Sequence, residues 1–210
     1  MTKKNKLKNP VEFFGNWAEI GKDEGMEKGH ANSVQFMLNK IIETQNPPYS
    51  FIDAGCGNGW VVRKVQENHN CNFVSGIDGA KQMIEKAKSI DPKGNYFCEN
   101  LINWNPNQKY GVVHSMEVFY YFENPEKIIQ KIYDDWLKDN GILIFGIDHY
   151  EENKSAINWP EECGVFMNTM SIKKWKNLLL NVGFKNIQNW QVGQKDDWAG
   201  TLVFLAEKYN

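Results

Sequence analysis

The stretch FIDAGCGNGW, residues 51–60, constrains this chain more than any other. An apolar run leads into Asp53, glycines follow at the alternate positions 55, 57 and 59, and a helical pattern begins near Trp60. Glycine there lets the backbone turn sharply out of a strand. It also lets a ligand lie against bare peptide at a helix N-terminus, where unpaired N–H groups point outward. The segment therefore predicts a strand, a ligand-binding turn and a helix. The dinucleotide fingerprint Gly-x-Gly-x-x-Gly needs glycine at position 60, where Trp60 stands, so NAD is disfavoured.

The rest of the chain repeats the rhythm of strand and helix. β-rich runs at 49–54, 72–77, 95–98, 111–115 and 141–147 alternate with helical patterns, the order of a parallel sheet covered by helices on both faces. One helix is expected from N-cap Asn124 and Pro125, with Ile128, Ile129, Ile132 and Trp136 as its apolar stripe. Another starts at Ser171, buries Trp175, Leu178, Leu179 and Val182, and stops at Gly183. The runs 184–192 and 201–206 have no helix between them, so they should pair antiparallel at an edge of the sheet. Ahead of the first strand, 11–20 and 31–44 look helical. The expected fold is α/β, a Rossmann-like seven-stranded sheet, mostly parallel with an antiparallel C-terminal edge hairpin. One domain is expected over 1–210: a helical cap (1–45), a cofactor-binding core (46–148), a substrate-side insertion (149–170), and the last helix and strand pair (171–210).

Two acids give the ligand a character. A carboxylate at Asp53, in the glycine turn, sits badly beside a pyrophosphate and suits a ligand with an ammonium group and a sulfonium. Asp78 falls nineteen residues after Gly59, at the end of the second strand, where a carboxylate can accept hydrogen bonds from both hydroxyls of a ribose. S-adenosylmethionine carries all three groups. The segments IDAGCGNG, GIDGAKQMIEKAK, CENLINW, GVVHSMEVFYYF, LKDNGILIF and LLLNVGF, in this order, resemble the class I S-adenosylmethionine-dependent methyltransferases, specifically the small-molecule, methyltransferase type 11-like branch. The likeness covers roughly residues 50–208.

That resemblance implies methyl transfer from S-adenosylmethionine by in-line displacement, with S-adenosylhomocysteine as product. It implies that Asp53, Gly55, Cys56 and Gly57 line the methionine part of the cofactor. Asp78 would hold the ribose, Gly79 and Ala80 would lie under the adenine, and Asn100 and Leu101 would face the adenine edge. Ser115, Met116 and Glu117 would border the sulfonium, with Trp17 adding to the site from the N-terminal cap. Two positions depart from the pattern: Gly111 and Asn100 each replace a commoner aspartate.

The tetrapeptide Asn46-Pro47-Pro48-Tyr49 matches the one that amine methyltransferases of nucleic acid bases or glutamine carry after their fourth strand. Here it precedes the first strand, so it reads as a coincidence whose prolines stiffen the entry to that strand. Two other segments are expected to border the methyl group. NWAEIGKDEGMEKGHANS, residues 16–33, is polar and holds three glycines, and is expected to be a flexible cover offering Trp17, Glu27 and His30. The long connection after the fifth strand offers His149, Tyr150 and Trp159. Methyl transfer needs an aligned, deprotonated nucleophile and sometimes a base. His30, Glu117 and His149 are the candidate catalytic groups, and Glu27, Tyr120, Tyr150 and Trp159 the candidate substrate contacts. His69 and His114 are set aside, one in a polar turn and the other inside a strand. Acidic and aromatic residues together suit a cationic or amine acceptor.

With 24 basic against 26 acidic side chains the net charge is −2, which leaves no positive field to grip a phosphate backbone. A small-molecule acceptor is expected, and no nucleic acid. The run Lys3, Lys4, Lys6, Lys8 reads as a solvated end. Cys56, Cys71, Cys98 and Cys163 stand far apart, with no histidine at ligand spacing, so no disulfide framework and no metal site are expected. No apolar run approaches the ~20 residues of a membrane span. A cytoplasmic monomer or homodimer fits. A protein or RNA methyltransferase and a non-catalytic S-adenosylmethionine-binding protein are the alternatives.

Overall fold

The computed structural model describes residues 7–67 and 71–209. Lys3, Lys4, Lys6 and His69 lie outside them. Seven strands form one sheet: β1 (Tyr49–Ala54), β2 (Cys71–Asp78), β3 (Asn95–Cys98), β4 (Tyr110–Met116), β5 (Leu137–Ile147), β6 (Lys185–Val192) and β7 (Thr201–Glu207). Their order is β3-β2-β1-β4-β5-β7-β6. The first five pair in parallel, and β7 runs antiparallel between β5 and the edge strand β6. The chain winds outward from β1 to β3, then crosses back to place β4 on β1's other side. That reversal opens a crevice at the C-terminal ends of β1 and β4, where open α/β sheets bind their ligands.

Local chemistry sets the helices: α1 (Pro10–Glu19), α2 (Glu24–Thr44), α3 (Trp60–Gln66), α4 (Lys81–Ile90), α5 (Pro125–Lys131), α6 (Trp159–Cys163) and α7 (Ile172–Val182). The side chains of Asn9, Asn124 and Ser171 cap α1, α5 and α7, accepting from the N–H groups of Val11, Glu126 and Lys174. Residues alternate between two cores, one on each face of the sheet. On β7, Leu202, Phe204 and Ala206 join Ile128, Trp175 and Leu178 on one side, while Val203 and Leu205 join Val34, Met37 and Ile41 of α2 on the other. The strand period of two and the helical period of 3.6 thus meet in both layers.

One sequence expectation is corrected here. The polar segment 16–33 is not a loose cover, because α2 starts at Glu24 rather than near 31 and carries His30 in its second turn. Gly25 and Gly29 lower the local helix propensity, which hides the helix in the sequence. Its inward face nonetheless repeats at helical spacing through Met26, His30, Val34 and Met37. Asp23, just ahead of the helix, is 1% exposed and accepts hydrogen bonds from Asn58 Nδ2 and Lys86 Nζ, both at 2.8 Å. The cap is therefore tied to the glycine turn and to α4. β5 also begins earlier than expected, at Leu137 rather than at position 141.

Candidate active site

The glycine turn is held from three sides. Gly55 has φ +80°, and a Cβ added there would stand 2.2 Å from Val118 Cγ2, so no other residue fits without displacement. The N–H groups of Gly55 and Cys56 donate to the Ile77 carbonyl at 2.8 and 3.0 Å. Asp78 accepts from Gly57 N at 2.9 Å through one oxygen and from Ala80 N at 2.7 Å through the other. The acid expected to hold a ribose thus also ties the turn to the end of β2. Burial pushes its carboxyl up from the usual range, while the two N–H donors pull against that shift.

A cleft of ≈ 260 Å³ opens in front of this turn. A Cβ on Gly57 would meet nothing nearer than Met83 Sδ at 3.9 Å, so the bare backbone of the turn faces open space. Gly79, Asn100 and Leu101 wall the cleft on the β2 and β3 side, Pro10, Val11 and Phe14 of α1 cover it, and Met116, Glu117 and Tyr121 close the far end. Asn100 Oδ1 accepts from the N–H groups of Ile102 and Asn103, which fixes the turn it stands on. A carboxylate with free lone pairs, a bare glycine backbone and an apolar slot match the ribose, methionine part and adenine of S-adenosylmethionine.

Beyond the glycine turn lies a smaller recess, lined by Asp23, Met26, His30, Asp53, Cys56 and Glu117 among others. Asp53 and His114 are register partners on β1 and β4, and Asp53 Oδ1 lies 2.7 Å from His114 Nδ1 in the interior. Glu117 follows β4 with φ 60°, a left-handed conformation that a glutamate adopts only when its surroundings enforce it. They do: its N–H donates to the Gly146 carbonyl, Oε1 accepts from Asp148 N at 2.5 Å, and Oε2 accepts from Tyr120 Oη at 2.6 Å. Burial pushes the Glu117 carboxyl well up from the usual range, and the Asp148 charge adds to the rise. Asp148 is itself pushed up by burial, with His30 and Thr201 opposing. His30 Nδ1 stands 3.7 Å from Asp148 Oδ2, and burial pulls the imidazole pKa down against that carboxylate's attraction. His30, Glu117 and Asp148 offer ligand atoms within 4.8 Å of one another. Their spacing in sequence hides this cluster, which helix α2 and the ends of β4 and β5 assemble.

The structure brings many of the sequence candidates together. Gly55, Gly57, Asp78, Gly79, Asn100, Leu101, Met116 and Glu117 line the cleft, and Asp53, Cys56 and His30 line the recess. Others stand apart from both cavities. Ser115 Oγ donates to the Ala54 carbonyl and joins β4 to β1. Ala80 is buried below the cleft, and Trp17 packs on Phe13 and Phe14 rather than lining it. Glu27 is exposed on the outer face of α2. Tyr120 lies buried behind Glu117. His149 is fully buried, with Nδ1 2.9 Å from the Ala156 carbonyl and Nε2 2.8 Å from Thr169 Oγ1. Tyr150 is anchored by the Ala199 and Gly200 carbonyls and by Gln191, and Trp159 stacks on Trp198. The insertion 149–170 therefore seats its first half on the β6–β7 connection, while Asn168 braces the Tyr120–Glu123 backbone.

Sequence reasoning missed Phe14, Asp23, Met26, Tyr121 and Asp148. Phe14 and Met26 carried a signal, since each recurs at helical spacing with another inward residue; Asp148 carried none until Glu117 and His30 were placed beside it. The tetrapeptide 46–49 sits at the start of β1, a six-residue strand, so about 20 Å separates it from the glycine turn.

Residues 24–189 match the family model described as a methyltransferase domain. A malonyl-[acyl-carrier protein] O-methyltransferase of Halalkalibacterium halodurans is 27% identical over 70% of this chain and 59% of its own length. A trans-aconitate 2-methyltransferase of Agrobacterium fabrum is 29% identical over 43% of this chain and 35% of its own. The chain thus spans 59% of the one and 35% of the other. Among solved structures, a chain from the Haloferax volcanii complex of the Trm112 methyltransferase activator with a methyltransferase has a TM-score of 0.83 at 20% identity, covering 97% of this chain and 100% of that one. The Bradyrhizobium japonicum N-methyltransferase NodS with bound S-adenosylhomocysteine has a TM-score of 0.63 at 14% identity, over 85% of this chain and 86% of that one. With the motifs in place along the cleft, the chain belongs to the methyltransferase domain family, among the class I S-adenosylmethionine-dependent methyltransferases, and its cofactor is S-adenosylmethionine.

Proposed function

We propose that the chain transfers the methyl group of S-adenosylmethionine to a small-molecule acceptor. The observation that carries this reading is the size of the recess at the methyl end, ≈ 30 Å³, roofed by Met26 and His30 of α2. Such a space admits a single functional group and not a folded macromolecular surface. When bound, the cofactor supplies an electrophilic methyl on a sulfonium. The chain's part is to hold and align: Asp78 and the Gly55–Gly57 backbone grip the nucleoside and methionine halves, α1 and α2 exclude water, and Glu117 fixes the far wall. The trans-aconitate 2-methyltransferase among its relatives supports a small acceptor, and the malonyl-[acyl-carrier protein] O-methyltransferase is named for a small acyl group held on a carrier protein. No helix among the described residues is long and apolar enough to cross a membrane, and the four cysteines are unpaired, in keeping with a reducing, intracellular setting.

A second reading, in which the chain acts on protein or RNA, is kept beside the first because a chain from a complex with the Trm112 methyltransferase activator shares its fold. Release of S-adenosylhomocysteine on adding pooled small metabolites, with no transfer of labelled methyl to total protein or RNA, is the expected result. Labelling of macromolecules alone overturns the first reading in favour of the second.

A further inference from the structure

The recess at the end of the cofactor cleft is acidic. Asp23, Asp53 and Glu117 line it, and Asp148 stands behind His30. Among the described residues that line the cleft and the recess there is no lysine or arginine. The four carboxylates differ in how they are answered. Asp23 has Lys86 Nζ at 2.8 Å, and Asp53 has His114 at 2.7 Å. Glu117 receives neutral donors, the Tyr120 hydroxyl and the Asp148 N–H. Asp148 is 5% exposed; the Thr201 side chain opposes the rise of its carboxyl, and its Oδ1 is buried with no hydrogen-bond partner within 3.5 Å. Its Oδ2 has His30 at 3.7 Å, longer than a hydrogen bond.

Two carboxyl groups buried side by side without a lysine or arginine both titrate above the usual range, and a cation entering between them favours their charged form. The ligand atoms of His30, Glu117 and Asp148 lie within 4.8 Å of one another, a spacing at which one ammonium nitrogen can reach all three. We propose that the acceptor is a protonated amine, received by Glu117 and Asp148 and deprotonated by His30. This rests on the methyltransferase reading above. Burial lowers the pKa of the His30 imidazole against the pull of Asp148, which favours the neutral form a base requires. With the ring proton on Nδ1, toward Asp148, Nε2 takes a proton from the ammonium. The N–H bonding pair stays on nitrogen, and Asp148 holds the imidazolium. The freed pair bonds to the methyl carbon while the carbon–sulfur pair leaves with sulfur as a neutral thioether. The two positive charges that entered, on ammonium and sulfonium, leave on methylated ammonium and His30.

Sinefungin, which carries an amine where the sulfonium methyl stands, and S-adenosylhomocysteine, which carries neither, test this by calorimetric binding. The wild type should prefer sinefungin by at least about tenfold, and Asp148→Asn and Glu117→Gln should each cut that preference to near unity. Retained affinity for S-adenosylhomocysteine shows that each variant is folded, and His30→Ala serves should either fail to fold. Equal affinity of the wild type for both compounds, or a preference untouched by the substitutions, overturns the amine proposal while leaving the methyltransferase reading standing. Binding of neither overturns that reading too. Titration with Zn²⁺ or Mg²⁺ alone is the further control: binding that His30→Ala abolishes makes the three groups a metal site and overturns the proposal.

Discussion

Asp53 and His114 face each other as register partners on β1 and β4, and the 2.7 Å contact between them joins the glycine turn to the strand that ends at Met116, just before Glu117. Both are buried. His114→Leu keeps the volume and leaves a buried carboxylate without its partner, so it should cost about 3 kcal/mol of stability. Urea unfolding measures this, and a loss below about 0.5 kcal/mol contradicts it.

Glu117 makes stability depend on pH. Its native carboxyl titrates well above the usual range because it is buried beside Asp148. Between the unfolded and the native titration, the native state holds a proton that the unfolded chain has lost, so this group's contribution falls as pH rises through that window. His30 has the opposite sign, since its pKa is lowered: the unfolded chain binds the extra proton, and stability is lost as pH falls through the usual histidine range. The stability of the wild type relative to Glu117→Gln should therefore fall as pH is raised from 5 to 8, by at most about 1.4 kcal/mol per pH unit. A gap that is constant over that range contradicts the assignment.

Gly55→Ala places a Cβ 2.2 Å from Val118 Cγ2 at φ +80°. Strain and overlap together should cost about 3 kcal/mol. Adding Val118→Ala removes the overlap but not the strain, so the double variant should recover part of the melting temperature and not all of it. Full recovery would show that backbone conformation is irrelevant there.

The two histidines proposed as bases from the sequence should separate cleanly. Both ring nitrogens of His149 hold the fold, through Ala156 and Thr169. His149→Asn should cost about 2 kcal/mol of stability and leave the pH profile of kcat/KM unchanged. His30→Asn should do the reverse, with little loss of stability and about a hundredfold loss of turnover. A changed pH profile in the His149 variant would return it to the site.

The positions and direction of the strands were legible because β-rich apolar runs alternate with helical patterns until the last two, which have no helix between them; the cofactor half of the site was legible because the glycine turn and Asp78 lie within one strand–helix–strand unit. The acceptor half was not. Asp148 and Glu117 meet only when β4 and β5 pair, and His30 joins them only because α2 extends past two glycines that argue against a helix. His114 was dismissed as a strand residue, yet strand pairing is what brings it to Asp53. Tyr150 and Trp159, polar-tipped aromatics in a long connection, gave the same signal as a substrate wall and turned out to pin that connection to the β6–β7 loop.

The central claim is that Asp78 and the glycine turn hold S-adenosylmethionine, and calorimetric titration of wild type and Asp78→Ala with S-adenosylmethionine, S-adenosylhomocysteine and NAD tests it most directly. Binding of both sulfur nucleotides by the wild type, weakened at least about a hundredfold in the variant, with no binding of NAD, is the predicted result. Binding of NAD alone, or sulfur-nucleotide affinity unchanged in Asp78→Ala, would contradict it.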